Sequence, residues 1–541
     1  MTIQKLIFSG YEEELSSLFI RKCRSGLTTN TYFNSFSAAK WDKYTSLDKV
    51  SFKAVLRGCG TLKISGADIV VPFDFKEPSE VTVDDIPLNE LGISSYVTVT
   101  GDAEIISGEY FTPSKAPNSV KIVCCICTYK REKELERNVK KLLPLNVDIF
   151  IADNGHTIIK EGIFASDKVH LFENKNYGGA AGFTRCIIES AVNSTCFSHV
   201  LLMDDDAFIE PFVIEKTISF LSYLNDEYKD YMIGGSYLYS DRPTVNIESG
   251  AYFDGYHFIS RKSGLDFSDY ESVIENEKEE PLSYNGWFYS CIPSSFVSNT
   301  NLPLPLFIHG DDQDYGMRMK GKIITLNGIC IWHPKQNFKP YMNYYNKRNF
   351  LMLLSKYRGD IGSFKMRTDI FRIILGQLAS FRYADAHYSL KGFEDFYKGI
   401  DYFKTLDAEE YNRKLLSWKQ NETCDADPSV SLAVPSNKSM LVIFIRRLLN
   451  LAVPSKKTLY FSSFDDQDAF DYLGYSRICI VGKDGKASVN EKNLKEHRAI
   501  MKSTRRLLRK IKKDHNTVYR EWTKRICELE TLSFWQEYLE I

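Results

Sequence analysis

From about residue 50 to 112, apolar and polar positions alternate in short runs, SFKAVLRG, GTLKISG and SYVTVTGDAEIISGEYF, broken by Gly, Asp and Pro. A period of two marks strands with one buried face, and several in succession predict a β-sandwich or barrel. The two prolines and small polar residues of TPSKAPNS (112–119) predict a linker closing a first domain over residues 1–118.

Beyond it the rhythm becomes strand, helix, strand. KIVCCICTY is a continuous apolar run, and Leu135, Val139, Leu142 and Leu143 follow at helical spacing. VDIFIADNG and KVHLFENKNYGG predict two further strands, AAGFTRCIIESAVN a helix, and HVLLM a fourth strand. This alternation predicts an α/β domain over 119–350, with a mostly parallel sheet and a ligand crevice at the strand C-termini. From 351 to 541 the pattern is mainly helical. MLVIFIRRLLNL (440–451) is too short to span a bilayer. In HRAIMKSTRRLLRKIKKDH (497–515), Arg498, Lys502, Arg505, Arg506, Arg509, Lys510, Lys512 and Lys513 share a helix with Ile500, Leu507, Leu508 and Ile511. Such a helix suits either a solvated element docked on a core or attachment to an anionic membrane surface.

A length of 541 residues implies roughly two to four domains. The net charge of -1 excludes a surface built wholly to hold nucleic acid. MTIQKLIFSGYEEEL lacks the apolar core of a secretory signal, so a cytoplasmic protein is expected. The twelve cysteines form no regular framework, and the CCIC cluster reads as buried strand.

The chemistry gathers at the predicted strand ends. In HVLLMDDDAF, side chains two apart point the same way, so Asp204 and Asp206 can aim at one point while Asp205 turns aside. Paired carboxylates at a sheet crevice suit a hard divalent cation holding a diphosphate, although an acidic surface turn has the same composition. TYKRE places Thr128 and Arg131 at the first strand end. NKNYGGAAGF places Gly178, Gly179 and Gly182 where backbone can approach a phosphate or base, or where a helix packs closely.

Taken with CTYKRE, NKNYGGAAGF, MDDDAF, YNGWFYSCIP, HGDDQDYGMRM and IWHPKQNFKPYMNYYNKRN in that order, the chain from about 121 to 350 resembles the family-2 glycosyltransferases that transfer galactofuranose, the polymerising mycobacterial enzymes among them. The resemblance implies a GT-A (Rossmann-like) transferase domain, an N-terminal jelly-roll-like β-sandwich, UDP-galactofuranose as donor, a divalent metal and inversion at the anomeric carbon. By motif position Asp204, Asp206 and His333 would hold Mn²⁺ or Mg²⁺, with imidazole favouring Mn²⁺. Asp312 would be the base that takes the acceptor proton, and Asp311 would bind acceptor hydroxyls; Asp314 and Arg318 would support the loop. Arg131, Asn176, Asp153 and Asp205 are nucleotide or sugar contacts on this reading, and Asp153 reads equally as an exposed polar strand end. Trp287 is either a sugar-stacking platform or a core residue.

Two departures fall in the acceptor pocket. Polymerising members carry two adjacent tryptophans where this chain has Trp287 and Phe288, and a Trp before the acidic pair where it has His309 and Gly310. The reading is an inverting transferase peripheral to the inner face of the cell membrane, acting on a glycan or lipid-linked glycan, with self-association left open. A transferase for another UDP-sugar and a catalytically inactive glycan-binding scaffold are the alternatives.

Overall fold

The computed structural model describes every residue except 195, 335–338, 419–421, 426–429, 464–466 and 483–484. The chain forms two compact units, one of residues 1–307, 311–336 and 530–541, the other of 308–310 and 337–529.

In the first unit, the β-rich N-terminal segment is one hydrogen-bonded sheet of β1 (Thr2–Lys5), β2 (Arg21–Cys23), β3 (Gly26–Thr28), β4 (Lys49–Ile64), β5 (Ile69–Pro87) and β6 (Val97–Phe111). The segment is β-rich as expected, with its six strands in this single sheet. β4 pairs with β5 from Lys49↔Pro87 to Ile64↔Ile69, with bulges that bend both strands. The N-terminal segment shares a core with the α/β segment of the same unit. The buried Tyr32 hydroxyl donates to the Ile329 carbonyl at 3.1 Å, and Phe33 packs edge-on to Phe212 at 5.0 Å. Ser37 Oγ donates to Glu277 at 2.6 Å. The linker at 112–119 therefore joins two parts of one compact unit.

The expected α/β alternation is present. β7 (Ile122–Thr128), β8 (Asp148–Asp153), β9 (Val169–Glu173) and β10 (His199–Asp204) are parallel neighbours in the order β9-β8-β7-β10. Their continuous apolar runs fit strands covered on both faces, and Cys124 and Cys125 are buried there as small hydrophobes. Between them run the helices Glu132–Leu142, docked by Leu135, Val139 and Leu142, and Gly178–Ile187. β11 (Met232–Tyr239), β12 (Asn246–Glu248), β15 (Ser290–Pro293) and β16 (Ile323–His333) extend the sheet, while β13 (Ala251–Phe253) and β14 (Phe258–Ser260) form a separate hairpin. The chain leaves β7 toward β8 on one side and later returns to β10 on the other. Strand order thus reverses between the ends of β7 and β10, where Cys127 pairs with Asp204, the place where open α/β sheets of this kind bind ligands.

The second unit is mainly helical, with Met342–Tyr357, Ser363–Ala379, Tyr383–Phe396, Met440–Asn450 and Leu494–Arg525 as its longer helices. The last buries Ile500, Leu507, Ile511, Tyr519 and Trp522 along one stripe and leaves Lys502, Arg506, Arg509 and Lys513 exposed. A four-stranded sheet of Glu422–Asp425, Thr458–Ser462, Arg477–Val481 and Lys486–Glu491 adds to the mainly helical pattern expected there. Its strands of four to six residues mix Thr, Cys, Lys and Ser, too short a pattern to stand out from the surrounding helices.

Candidate active site

The acidic triplet closes β10 at the reversal point. Asp205 turns inward, where Thr128 Oγ1 donates to its Oδ2 at 2.8 Å and Arg131 to its Oδ1 at 3.0 Å. Arg131 also pairs with Asp206. Asn138, from the helix after β7, holds the triplet's backbone by donating to the carbonyls of Asp205 and Ala207 at 2.9 and 2.7 Å. Burial, then the neighbouring carboxylates Asp206 and Asp205, push Asp204 up to about 6 against the pull of His333.

Parallel pairing of β16 with β11 brings His333 to the same place as the triplet. Its Nε2 lies 2.8 Å from Asp206 Oδ1 and 3.6 Å from Asp204 Oδ2, and one ligand atom from each of the three residues lies within 4.8 Å of the others. The ring's Nδ1 lies 2.7 Å from the Pro334 carbonyl and is therefore its donor, which leaves Nε2 of the neutral ring as a bare lone pair aimed at two carboxylates. Acceptors so placed require a cation among them. Without a metal, a second proton fills that role: burial alone would lower the His333 pKa, but the bond to Asp206 and the charge of Asp204 raise it. The donor set, two carboxylates and an imidazole oriented through its other nitrogen, fits a divalent cation.

Asp311 and Asp312 open the short helix Asp311–Met317, where backbone N–H groups favour negative charge. Burial nevertheless dominates. It lifts Asp311 to about 7, with Asp204 and Asp314 adding to the rise, and it lifts Asp312 well above the usual carboxylate range, reinforced by Asp311, Glu248 and Asp204. Asp204 contributes to the rise of both, so the pair lies within its electrostatic reach. Asp312 Oδ1 accepts from the Gln313 amide at 2.7 Å. Asp314 is buried and pairs with Arg318, which also binds the Leu302 carbonyl and Glu530, so these two hold the loop.

Other expected contacts are placed differently. Asp153 is buried and spends both oxygens on its own loop, accepting from Gly155, Thr157 and Ile158 N–H at 2.7–2.8 Å. Asn176 is half-buried. Gly178 has φ +82°, and a Cβ there would sit 2.0 Å from the Phe307 carbonyl oxygen; a Cβ at Gly182 would sit 2.2 Å from Cys127 Sγ. Gly179 faces open space in the first turn of its helix. Trp287 is 6% exposed, with Phe183 and Tyr315 edge-on to it at 5.2 and 6.1 Å, and Phe288 packs on Tyr237. His309 belongs to the second unit, where its backbone is left-handed (φ 64°) and its carbonyl accepts from Asn349.

Two residues carry no signal in the sequence. Glu248 ends β12, buried, its carboxyl raised by burial and close enough to raise Asp312 in turn. Tyr237 places its hydroxyl 3.2 Å from His333 Nδ1. Neither lies in a recognisable motif. Only the partner strands, β12 beside β11 and β11 beside β16, bring them in.

Comparison with known proteins agrees with this geometry. Residues 123–274 match the family model for glycosyl transferase family 2. The chain is 25% identical over 426 residues to galactofuranosyltransferase GlfT2 of Mycobacterium tuberculosis, covering 70% of this chain and 66% of that one. It is 24% identical over 418 residues to GlfT2 of Mycolicibacterium smegmatis, covering 68% and 63%. The chain thus spans slightly less than two thirds of the length of these relatives. With its GT-A-type α/β sheet and its acidic triplet at the strand reversal, the chain carries a region that matches glycosyl transferase family 2 and is similar to the mycobacterial galactofuranosyltransferases.

Proposed function

We propose that the protein transfers galactofuranose from UDP-galactofuranose to a hydroxyl of a surface glycan, carried on a lipid, with inversion at the anomeric carbon. The observation that supports this reading most directly is the cluster of Asp204, Asp206 and His333, with the buried acid pair Asp311 and Asp312 within electrostatic reach of Asp204.

Asp204, Asp206 and His333 would hold a divalent cation, Mn²⁺ before Mg²⁺, which would supply positive charge to the diphosphate leaving group. Arg131, fixed by Asp205 and Asp206, adds positive charge on the nucleotide side. The first turn at Gly178 and Gly179 offers unpaired N–H groups to the donor. Asp312 accepts the proton of the acceptor hydroxyl while that oxygen bonds to the anomeric carbon, and the bond from that carbon to UDP breaks, its electron pair leaving with UDP. Asp311 and Glu248 orient sugar hydroxyls. A carboxylate raised by burial suits the base, because a stronger base takes the proton more readily near neutral pH. Trp287 offers its face to a sugar ring once neighbouring side chains part. Phe288, which replaces a tryptophan of the polymerising enzymes, reshapes the acceptor side. The basic face of helix Leu494–Arg525 attracts an anionic inner membrane surface, which delivers the acceptor.

The deciding experiment is product analysis. UDP-galactofuranose, Mn²⁺ and a set of galactofuranosyl and lipid-linked acceptors should give UDP release with a β-linked product of added hexose mass. Turnover only with a different UDP-sugar, or none with any, would replace this reading by one of its two alternatives.

A further inference from the structure

We infer that the cavity between β1 and helix Pro211–Tyr223 binds an apolar molecule headed by a carboxylate, with the Lys216 ammonium as its counterion. The cavity has a volume of about 410 Å³ and lies wholly within the first unit. Its walls include Ile7, Phe33, Leu145, Phe212 and Ile218, apolar surface enough to shield a short hydrocarbon chain. Small-molecule pockets of roughly 300–1,000 Å³ have this make-up, apolar walls with a few fixed polar groups.

Three buried polar atoms on this wall have no hydrogen-bond partner among the described residues: Lys216 Nζ, Ser219 Oγ and Gln4 Oε1. Lys216 is 7% exposed and Gln4 5%. Native interiors leave few such groups, so three on one cavity point to a ligand that completes them. Lys216 and Ser219 stand three residues apart on the helix and so share a face. Gln4 Nε2 donates to the Phe33 and Ser35 carbonyls at 3.2 and 3.1 Å, which fixes the amide and leaves its oxygen over.

Room for the ammonium is built into the sheet. β11 advances from Gly234 to Ser236 while β16 advances from Thr325 to Cys330, so β16 bulges out of the ladder between them. Gly328 lies in that bulge with φ +76°, and a Cβ there would sit 2.9 Å from Lys216 Nζ. The carboxylate whose charge reaches Lys216, Glu277, is already engaged. It ion-pairs with Lys40 at 3.1 Å and accepts from Ser37 Oγ at 2.6 Å and from the Asn327 amide at 2.8 Å. Burial brings Lys216 down to about 8 against the pull of Glu277, as expected of an ammonium that lacks a counterion of its own.

Charge selects the head group. One cation in an apolar wall balances one negative charge, and a phosphate dianion would leave a buried charge uncompensated. The other charged side chains on the cavity, Lys5 and Glu215, are exposed and opposite in sign. A carboxylate accepts from Lys216 and Ser219 together, and Gln4 Oε1 accepts from a hydroxyl on the same molecule. This site does not depend on the transferase reading.

Full-length protein would be titrated calorimetrically with 3-hydroxyoctanoate and with 1,3-octanediol, which keeps the hydroxyl and the chain but lacks the carboxylate. The wild type should bind the acid at least about tenfold more tightly than the diol. Lys216→Met keeps the apolar stem and removes the charge. It should bind the two alike and melt no lower than the wild type, because it removes a buried ammonium without a partner. A wild type that binds neither molecule, or both equally, overturns the proposal, and so does Lys216→Met that keeps the preference for the acid. Should Lys216→Met not fold, Ser219→Ala decides: a loss of acid affinity of about threefold or more supports the site, and wild-type affinity overturns it.

Discussion

Thr128 Oγ1 donates to Asp205 Oδ2 across 2.8 Å, tying the end of the first strand of the α/β sheet to the middle acid of the triplet at the end of the fourth. The middle carboxylate is thereby kept inside the protein, and its two neighbours are left for the crevice. Replacing the hydroxyl should loosen this division. Thr128→Val is expected to weaken UDP binding in the presence of Mn²⁺ by about tenfold, the effect of losing one hydrogen bond to a charged group. Titration calorimetry would read it, and an unchanged affinity would mean that Arg131 alone fixes Asp205.

The acid pair predicts opposite effects on stability and activity. Burial lifts Asp311 from an ordinary 3.8 to about 7, so the folded state binds a proton that the unfolded state has released. The stability this contributes is complete below about pH 3.8 and is lost as pH rises through about 7. Asp311→Asn should therefore melt about 4 °C higher than wild type at pH 8, with the gap closing toward pH 4. A constant gap across that range would show that the carboxyl titrates normally.

Catalysis needs the other ionisation state of the same pair. The rate should climb with pH as Asp312, held well above the usual carboxylate range by burial and by Asp311, gives up its proton. Asp312→Asn should lower transfer by about 10²–10⁴-fold while UDP binding persists. Wild-type turnover in this variant would remove Asp312 from the role of base.

Chelation should abolish transfer, and Mn²⁺ should restore it. His333→Ala, which deletes the nitrogen 2.8 Å from Asp206, should weaken Mn²⁺ binding measured with UDP by at least about tenfold. Tyr237→Phe should have a smaller effect in the same assay, since the Pro334 carbonyl still orients the ring. Equal Mn²⁺ affinity in all three proteins would disprove the metal assignment.

Helix–strand contact at the crevice is equally open to test. A methyl group at Gly182 would meet Cys127 Sγ at 2.2 Å and its Cβ at 2.8 Å, so Gly182→Ala should destabilise by about 1–3 kcal/mol. Adding Cys127→Ala, which removes the sulfur, should recover part of that loss in thermal melts. No recovery would place the strain elsewhere.

How far the sequence can be read depends on the range over which each signal acts. The four parallel strands are legible because each is a continuous apolar run, and the triplet because it directly follows one of them. His333 is reached through the IWHP motif, and the structure brings its nitrogen beside Asp204 and Asp206 across more than a hundred residues. Glu248 is illegible: β12 has three residues, and only its pairing with β11 sets that carboxyl near Asp312. Asp153 shows the opposite case, a polar strand end whose loop of N–H groups claims it. The small sheet of the second unit is hidden by strands too short to show a period against their helical surroundings.

The loop bearing the acid pair is anchored by residues made much later. Glu530 binds Arg318 and its carbonyl accepts from the Leu302 amide; Trp535, fully buried, donates to the Pro303 carbonyl at 2.9 Å. Roughly 200 residues separate the loop from this anchor, and at ribosomal speeds they take about 10–40 s to make. Throughout that interval the nascent chain carries its acidic loop without its anchor and exposes the pocket that Trp535 will fill. Synthesis order thus makes this corner the last part of the first unit to close, and the part most open to capture by chaperones or proteases.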